Sequence, residues 1–378
     1  MKRLLALLVA PVVVLSGCGG GDAAEEPEAS ETPSAGTADT GSSSASPSPS
    51  ETGEARSGRP EVVGTVASGL QAPWGIDFLP DGSALVTERD TTRVFQVGDG
   101  EVTRVGELGQ AEPDGEGGLL GVAVSPTYDE DATVFFYLTT GDDNRVVKAT
   151  FRGGRLGEAT PVLTDIPRND YHDGGRLLFG PDDMLYVSTG DAGDTDNAQD
   201  RESLGGKILR ITPEGEPAPG NPDAGSPVWS YGHRNVQGLA FDDQDRLWAS
   251  EFGDQTWDEL NLIEEGGNYG WPEVEGRDGE LEGAIEPQVQ WATDDNSPSG
   301  LAFVDGRLWL GALQGQRLWR VDVDGAAAAD ERGFFVGDYG RIRTVVTAPD
   351  GRLWVTTSNR DGRGEPGQGD DRILLVEP

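Results

Sequence analysis

From residue 61 onward the chain alternates short apolar runs with polar turns. A run that opens on a small or polar residue leads into a turn, and the turn into a second apolar run. Six copies recur. They begin Gly75-Ile76-Asp77-Phe78 with Ala84-Leu85-Val86-Thr87, and Gly121-Val122-Ala123-Val124 with Val134-Phe135-Phe136-Tyr137. Arg176-Leu177-Leu178-Phe179 with Leu185-Tyr186-Val187-Ser188 and Gly238-Leu239-Ala240-Phe241 with Leu247-Trp248-Ala249-Ser250 come next. The last two are Gly300-Leu301-Ala302-Phe303 with Leu308-Trp309-Leu310-Gly311, and Thr344-Val345-Val346-Thr347 with Leu353-Trp354-Val355-Thr356. Turns such as Asp81-Gly82 and Asp350-Gly351 are hairpin signals, so each copy predicts two antiparallel strands. No helical stretch of convincing length intervenes, which disfavours an α/β fold. Six copies over residues 61–378 give roughly 53 residues per unit, the scale of a propeller blade with its loops. A sandwich or a pair of barrels would also yield hairpins, but the regular spacing favours an all-β, six-bladed β-propeller. In such a fold the innermost strands line a central channel and loops gather at its ends, so residues flanking the repeats should converge on one site.

The first sixty residues read differently. Met1-Lys2-Arg3 and the apolar run Leu4 to Leu15 form a basic start and a short hydrophobic stretch, a secretory signal too short to span a bilayer. The ending Leu15-Ser16-Gly17-Cys18 resembles a bacterial lipoprotein signal. Residues 1–17 would then be removed and Cys18, the sole cysteine, lipidated, which anchors the protein to the cell membrane on its extracytoplasmic face. An ordinary signal with an incidental cysteine is the alternative. Residues 18–60 are rich in Gly, Ser, Pro and Glu and lack large apolar residues after the cysteine. Such a segment cannot bury enough surface to offset its ordering entropy and reads as a disordered tether.

Charge narrows the partners. The chain has 378 residues, 67 Asp+Glu against 29 Lys+Arg, and a net charge of −38. Eight acids and four bases fall in residues 1–60, which leaves −34 on residues 61–378. That field argues against nucleic acid, whose phosphates need clustered Lys and Arg. One cysteine excludes an intrachain disulfide and any Cys-cluster metal site, and two histidines exclude a multi-His centre. No Cys-x-x-Cys-His haem attachment occurs.

Against this background the polar segments beside the repeats stand out. They are Gly117-Gly118-Leu119-Leu120-Gly121, His172-Asp173-Gly174-Gly175-Arg176-Leu177, Gly232-His233-Arg234-Asn235-Val236-Gln237-Gly238-Leu239, Asp258-Glu259-Leu260-Asn261 and Gly267-Asn268-Tyr269-Gly270-Trp271-Pro272. Singly each is weak, since a lone His is more often structural and Gly-Gly usually marks a turn. Together, and in this order, they resemble the soluble glucose/sorbosone dehydrogenase family, also called pyrroloquinoline quinone (PQQ)-dependent aldose sugar dehydrogenases. The resemblance spans residues 61–378, and the family fold is a six-bladed propeller.

The resemblance implies an oxidoreductase that oxidises the C1 hydroxyl of aldose sugars to lactones by hydride transfer to PQQ, assisted by Ca²⁺. His172 matches the family's general base, which takes the C1 hydroxyl proton near neutral pH. Asp191 matches the acid that fixes the imidazole, although a turn residue after a strand is the plainer reading. Arg234 would polarise the quinone carbonyls and Asn235 would hydrogen-bond the cofactor. Arg341 and Arg343 match paired cofactor-binding arginines and, two apart on a strand, share one face; two surface arginines are the plainer reading. Gln199, Trp291 and Thr293 match cofactor contacts more loosely, and core packing suits Trp291 equally. Gly253 and Asp254 match the segment whose carbonyls hold Ca²⁺. Electrons would leave by an external acceptor.

Three positions depart from the family pattern. Glu116 replaces a common Gln and would repel an anionic cofactor unless protonated or paired. Gln314 replaces a common Lys or Arg, and Asp254 a common Pro. These departures support the competing reading, a non-redox cell-surface propeller that binds carbohydrate or protein. A calcium-dependent lactonase on the same fold has no supporting motif. With so few bases in the chain, His172, Arg234, Arg341 and Arg343 predict a basic pocket in an acidic exterior.

Overall fold

The computed structural model describes residues 58–277 and 279–378. The signal, Cys18 and the tether lie outside the described residues. Six antiparallel sheets follow one another along the chain, five of four strands and one of five. Blade 1 is Pro73–Phe78, Ala84–Glu88, Arg93–Gly98 and Glu101–Glu107. Blades 2 to 5 begin with Leu119–Val124, Leu177–Phe179, Val236–Phe241 and Pro298–Val304. Blade 6 runs Ile342–Thr347, Leu353–Thr357 and Arg372–Glu377, and takes its outermost strand, Glu61–Ser68, from the start of the domain. The two ends of the domain are thus joined in one sheet. Consecutive first strands contact one another, and the last contacts the first, so the six form a closed ring. This is a six-bladed β-propeller.

The repeats correspond to the first and second strands of each blade. Their burial explains why they were readable. The strand Leu119–Val124 is buried at all but its last position, whereas the outer strand Glu101–Glu107 buries only Val105. A strand flanked by blades on both faces is apolar throughout, whereas an outer strand faces water and takes polar residues. The core is correspondingly divided into six apolar clusters, one in each seam between blades. Leu85, Val94, Leu119 and Phe136 fill the first, and Ala84, Val86, Trp354 and Ile373 the seam where blade 6 meets blade 1.

The inner ring is drawn tight by two devices that the repeats spell out. A Cβ on Gly238 would lie 2.3 Å from the Ser299 carbonyl oxygen of the next inner strand, so only glycine permits that approach. The Ser or Thr that ends the second strand then stitches blades together. Thr87 Oγ1 accepts from the Gly75 N–H (2.8 Å) and donates to the Leu120 carbonyl (2.5 Å). Ser188 Oγ accepts from the Arg176 N–H (2.9 Å) and donates to the Val236 carbonyl (2.8 Å). Backbone groups at the starts of the first four inner strands are satisfied in this way, beside bulges in the first, second and fourth.

Candidate functional site

All six inner strands start at the same end of the channel and all second strands finish there. Residues just before the first and just after the second therefore meet at one mouth. They enclose a cavity of about 240 Å³ lined by Glu116, His172, Arg234, Phe252, Gly253, Asp254, Asp258, Thr293, Ser297, Leu313, Gln314, Arg341 and Arg363. A larger cavity, about 450 Å³, opens at the other end of the same strands and is faced by Phe78, Phe179, Phe241 and Phe303. It holds none of the residues singled out for chemistry.

His172 is the centre of the polar mouth. Its backbone sits at φ 61°, a left-handed conformation that costs a non-glycine residue about 1–3 kcal/mol and needs surrounding structure to hold it. That structure is visible. The His172 N–H donates to Glu116 Oε2 (3.2 Å), and its carbonyl accepts from the Ala192 N–H (3.1 Å). A Cβ on Gly190 would lie 1.9 Å from the same carbonyl, so the Gly before Asp191 is what lets the two segments touch.

Asp191 is fully buried and lies 2.7 Å from His172 Nδ1 through Oδ1. Oδ1 also accepts the Gly193 N–H (2.7 Å), and Oδ2 accepts Trp271 Nε1–H (2.8 Å). Burial works to raise its pKa, but the hydrogen bond and charge of His172, with Gly193 and Trp271, outweigh it and hold the carboxyl below its ordinary value. An ionised Asp191 accepts from Nδ1–H, so when the ring is neutral the tautomer it selects carries the lone pair on Nε2.

The three guanidiniums of the cavity each carry a carboxylate. Arg234 Nη2 lies 3.0 Å from Asp254 Oδ1, Arg341 Nε 3.0 Å from Asp361 Oδ2, and Arg363 Nη1 2.8 Å from Glu116 Oε1. The pocket is therefore a set of paired charges, not the basic patch the arginine count suggests. Arg234 keeps a buried Nε with no partner, and its guanidinium lies 5.4 Å from the Trp271 ring centroid. Glu116 is paired. Burial pushes its pKa up, yet Arg363 and His172 together bring it below its ordinary value.

Of the residues predicted from sequence, Glu116, His172, Arg234, Gly253, Asp254, Thr293, Gln314 and Arg341 line the cavity. Asp191 acts on it through His172. Arg343 lies behind Arg341 in the channel wall, donating to Ser358 Oγ and Gln237 Oε1 at 3.2 Å each and sharing Asp361 with Arg341. Burial, with little relief from Asp361, lowers its pKa to about 10. Asn235 is fully buried and accepts the Gly174 N–H (3.0 Å), which fixes the turn after His172.

Two residues stand away from the cavity. Gln199 donates to Asn268 Oδ1 (3.0 Å) and the Trp271 carbonyl (2.7 Å), so it positions the Trp271 loop. Trp291 packs in the seam between blades 4 and 5, with its ring 5.6 Å from that of Trp319. Its aromatic surface is spent on the core.

Gly253 and Asp254 lie on a turn held by Glu275. Its Oε1 accepts the N–H groups of Asp254, Gln255, Thr256 and Trp257 at 2.7–3.1 Å. Asp254 is already engaged by Arg234. Among the described residues, no group of three or more His, Cys, Asp or Glu side chains is placed to hold a metal ion.

Sequence reading gave no role to four residues at or beside the cavity. Trp271 sat in a quoted motif but carried no role. Asp361 and Arg363 lie on a loop without a motif. Asp258 lines the cavity with both oxygens on backbone N–H groups, those of Gly253 (2.9 Å) and Ser297 (2.6 Å), and burial raises its pKa to about 7.

A family profile described as glucose/sorbosone dehydrogenase matches residues 70–374. The chain belongs to the glucose/sorbosone dehydrogenase family. The PQQ-bound aldose sugar dehydrogenase of Streptomyces coelicolor is similar to this chain at 53% identity and a TM-score of 0.82, covering 84% of this chain and 97% of that one. Aldose sugar dehydrogenase YliI of Escherichia coli is 31% identical over 331 residues, 78% of this chain and 89% of the relative. Quinoprotein glucose dehydrogenase B of Acinetobacter calcoaceticus is 30% identical over 249 residues, 56% of this chain and 52% of the relative. The propeller is thus that of a sugar dehydrogenase family.

Proposed function

We propose that this protein oxidises the C1 hydroxyl of aldose sugars to lactones with pyrroloquinoline quinone as cofactor, and passes the electrons to an external acceptor. The observation that carries the reading is the His172–Asp191 pair at the channel mouth, where His172 lines a cavity shared with three guanidiniums. The donor set suits a planar polycarboxylate. Arg234 has an unpartnered buried Nε, and Arg341 and Arg363 present forked donors that match carboxylates. When bound, the quinone supplies a two-electron acceptor for the hydride leaving C1.

The chain's own residues supply the proton chemistry. His172 Nε2 receives the C1 hydroxyl proton as the C1–O bond becomes a carbonyl. Asp191 keeps the ring oriented and stabilises the imidazolium that results. Trp271 and Gly193 hold Asp191 from the other side. Arg234 and Arg341 would hold the cofactor, and Arg343 would help only by sharing Asp361, which keeps Arg341 in place.

Calcium belongs to the proposal only as a site completed by its ligand. The side chains at Gly253–Asp254 do not form a cage, so an ion there would rest on carbonyl oxygens of that turn and on oxygens of the cofactor. The lipoprotein reading of residues 1–18 places the enzyme outside the cytoplasm, tethered at Cys18.

The test is reconstitution. Protein incubated with quinone and Ca²⁺ should retain quinone absorbance through gel filtration and reduce an artificial acceptor when given aldoses. Loss of the quinone on gel filtration together with no turnover would overturn the reading.

A further inference from the structure

Arg363 belongs to no motif and sits on the loop between the second and third strands of blade 6. Its exposure sets it apart from the other guanidiniums of the mouth. Its side chain is 56% exposed, against 12% for Arg234 and 7% for Arg341. It uses only Nη1, on Glu116; among the described residues nothing accepts from its Nε or Nη2. Its backbone is fixed all the same. The Arg363 N–H donates to Asp361 Oδ1 (3.0 Å), and the other oxygen of Asp361 holds Arg341 and Arg343. Arg89 Nη2 donates to the Asp361 carbonyl (3.2 Å). The loop is rigid at its root, and the guanidinium reaches back across the ring to Glu116, which in turn receives the His172 N–H.

A charge in this arrangement is held ready. Glu116 fixes one edge of the guanidinium at the cavity rim and leaves the other edge free. Gln314, on the same cavity, brings no charge. An anion entering between Gln314 and His172 meets in Arg363 the most exposed guanidinium of this cavity. Arg234 and Arg341 also keep unpaired nitrogens but are more deeply set.

We propose that Arg363 is a binding residue of this site: it grips a carboxylate of the anionic cofactor with the donors that Glu116 leaves free, and Glu116 is its positioning residue. This rests on the quinone reading above and goes further, because it turns the unusual acid at the mouth into part of the binding machinery. The competing role is neutralisation alone, in which Arg363 only masks the charge of Glu116.

Quinone titration of the full chain, followed by intrinsic tryptophan fluorescence without any sugar, separates these roles. Four proteins are compared: wild type, Glu116→Gln, Arg363→Gln, and the double variant. Thermal unfolding checks that each is folded, and the exposure of Arg363 makes loss of fold avoidable. Arg363→Gln should weaken binding by about tenfold or more, the worth of one charge-assisted hydrogen bond. Glu116→Gln, which loosens the grip that positions Arg363, should weaken binding by a few-fold, less than Arg363→Gln does. The double variant should stay as weak as Arg363→Gln and lose part of the salt dependence. Restoration of wild-type affinity in the double variant would overturn the proposal in favour of neutralisation, as would an Arg363→Gln protein that binds normally. A wild-type protein that binds no quinone is a different result: it removes the cofactor reading and this inference with it.

Discussion

His172 Nδ1 and Asp191 Oδ1 lie 2.7 Å apart, and the carboxylate behind the imidazole is fully buried. The pair joins two segments 19 residues apart, one entering blade 3 and one leaving its second strand. Asp191→Asn keeps the shape and removes the charge, and the amide can donate to the ring and favour the wrong tautomer. We expect kcat to fall by about 10²–10⁴-fold, the span of general-base catalysis, with quinone affinity little changed. Steady-state kinetics alongside a binding titration measures both. The lowered pKa of Asp191 fixes the sign of its linkage. Its stabilising contribution is present above the ordinary value of 3.8 and lost as pH falls through the lower folded value.

Trp271 ties that pair to the cofactor side. Its indole N–H satisfies Asp191 Oδ2 and its ring lies against Arg234. Trp271→Phe keeps the ring and deletes the donor, leaving a buried carboxylate oxygen unpaired at a cost of about 1–3 kcal/mol. The predicted outcome is a loss in kcat of about tenfold or more and a lower melting temperature. Equal activity would show that Gly193 and His172 suffice to hold Asp191.

Asp258 should give the fold an unusual pH profile. Its folded pKa, about 7, lies above the ordinary 3.8 because burial disfavours the charge. The stability it contributes is present below about pH 4 and is lost as pH rises toward about 7. Asp258→Asn should flatten that part of the curve. Urea midpoints from pH 4 to 8 for the two proteins provide the check, and parallel curves would contradict the assignment.

Glu275 holds the Gly253–Asp254 turn with one carboxylate oxygen on four backbone N–H groups. Glu275→Ala strands those donors. It should loosen the turn, weaken quinone binding, and raise the Ca²⁺ concentration needed for half-maximal binding. Titration of Ca²⁺ at fixed quinone reads this directly. A variant with unchanged calcium dependence would detach that turn from the ion.

Much of the fold was legible because burial and sequence coincide in the inner strands. Gly238 before Leu239-Ala240-Phe241 and Ser250 after Leu247-Trp248-Ala249 record, respectively, a close approach and an interblade hydrogen bond. Outer strands such as Ala327–Phe334 face solvent, and polar sequences there left no repeat. The joining of Glu61–Ser68 to the last blade was hidden as well, since pairing across the whole domain leaves no local mark. At the site, motifs led to His172, Asp191 and Arg234. They did not show which acid each arginine meets, because the acids sit on loops: Asp254 and Asp361 follow the second strand of their arginine's own blade, and Glu116 comes from another blade. Trp291 shows the converse, an aromatic beside the site in sequence that the seam between blades claims for packing.

The central claim is that His172 removes a proton from a sugar hydroxyl at a quinone-loaded mouth. Stopped-flow absorbance of the quinone-reconstituted protein, mixed with excess aldose and no acceptor, tests it most directly. The account predicts rapid bleaching of the oxidised quinone in the wild type. It predicts bleaching slower by about 10²–10⁴-fold in His172→Gln, with the same amount of quinone bound at the start. Equal rates in the two proteins, or a loaded wild type that no aldose reduces, would contradict it.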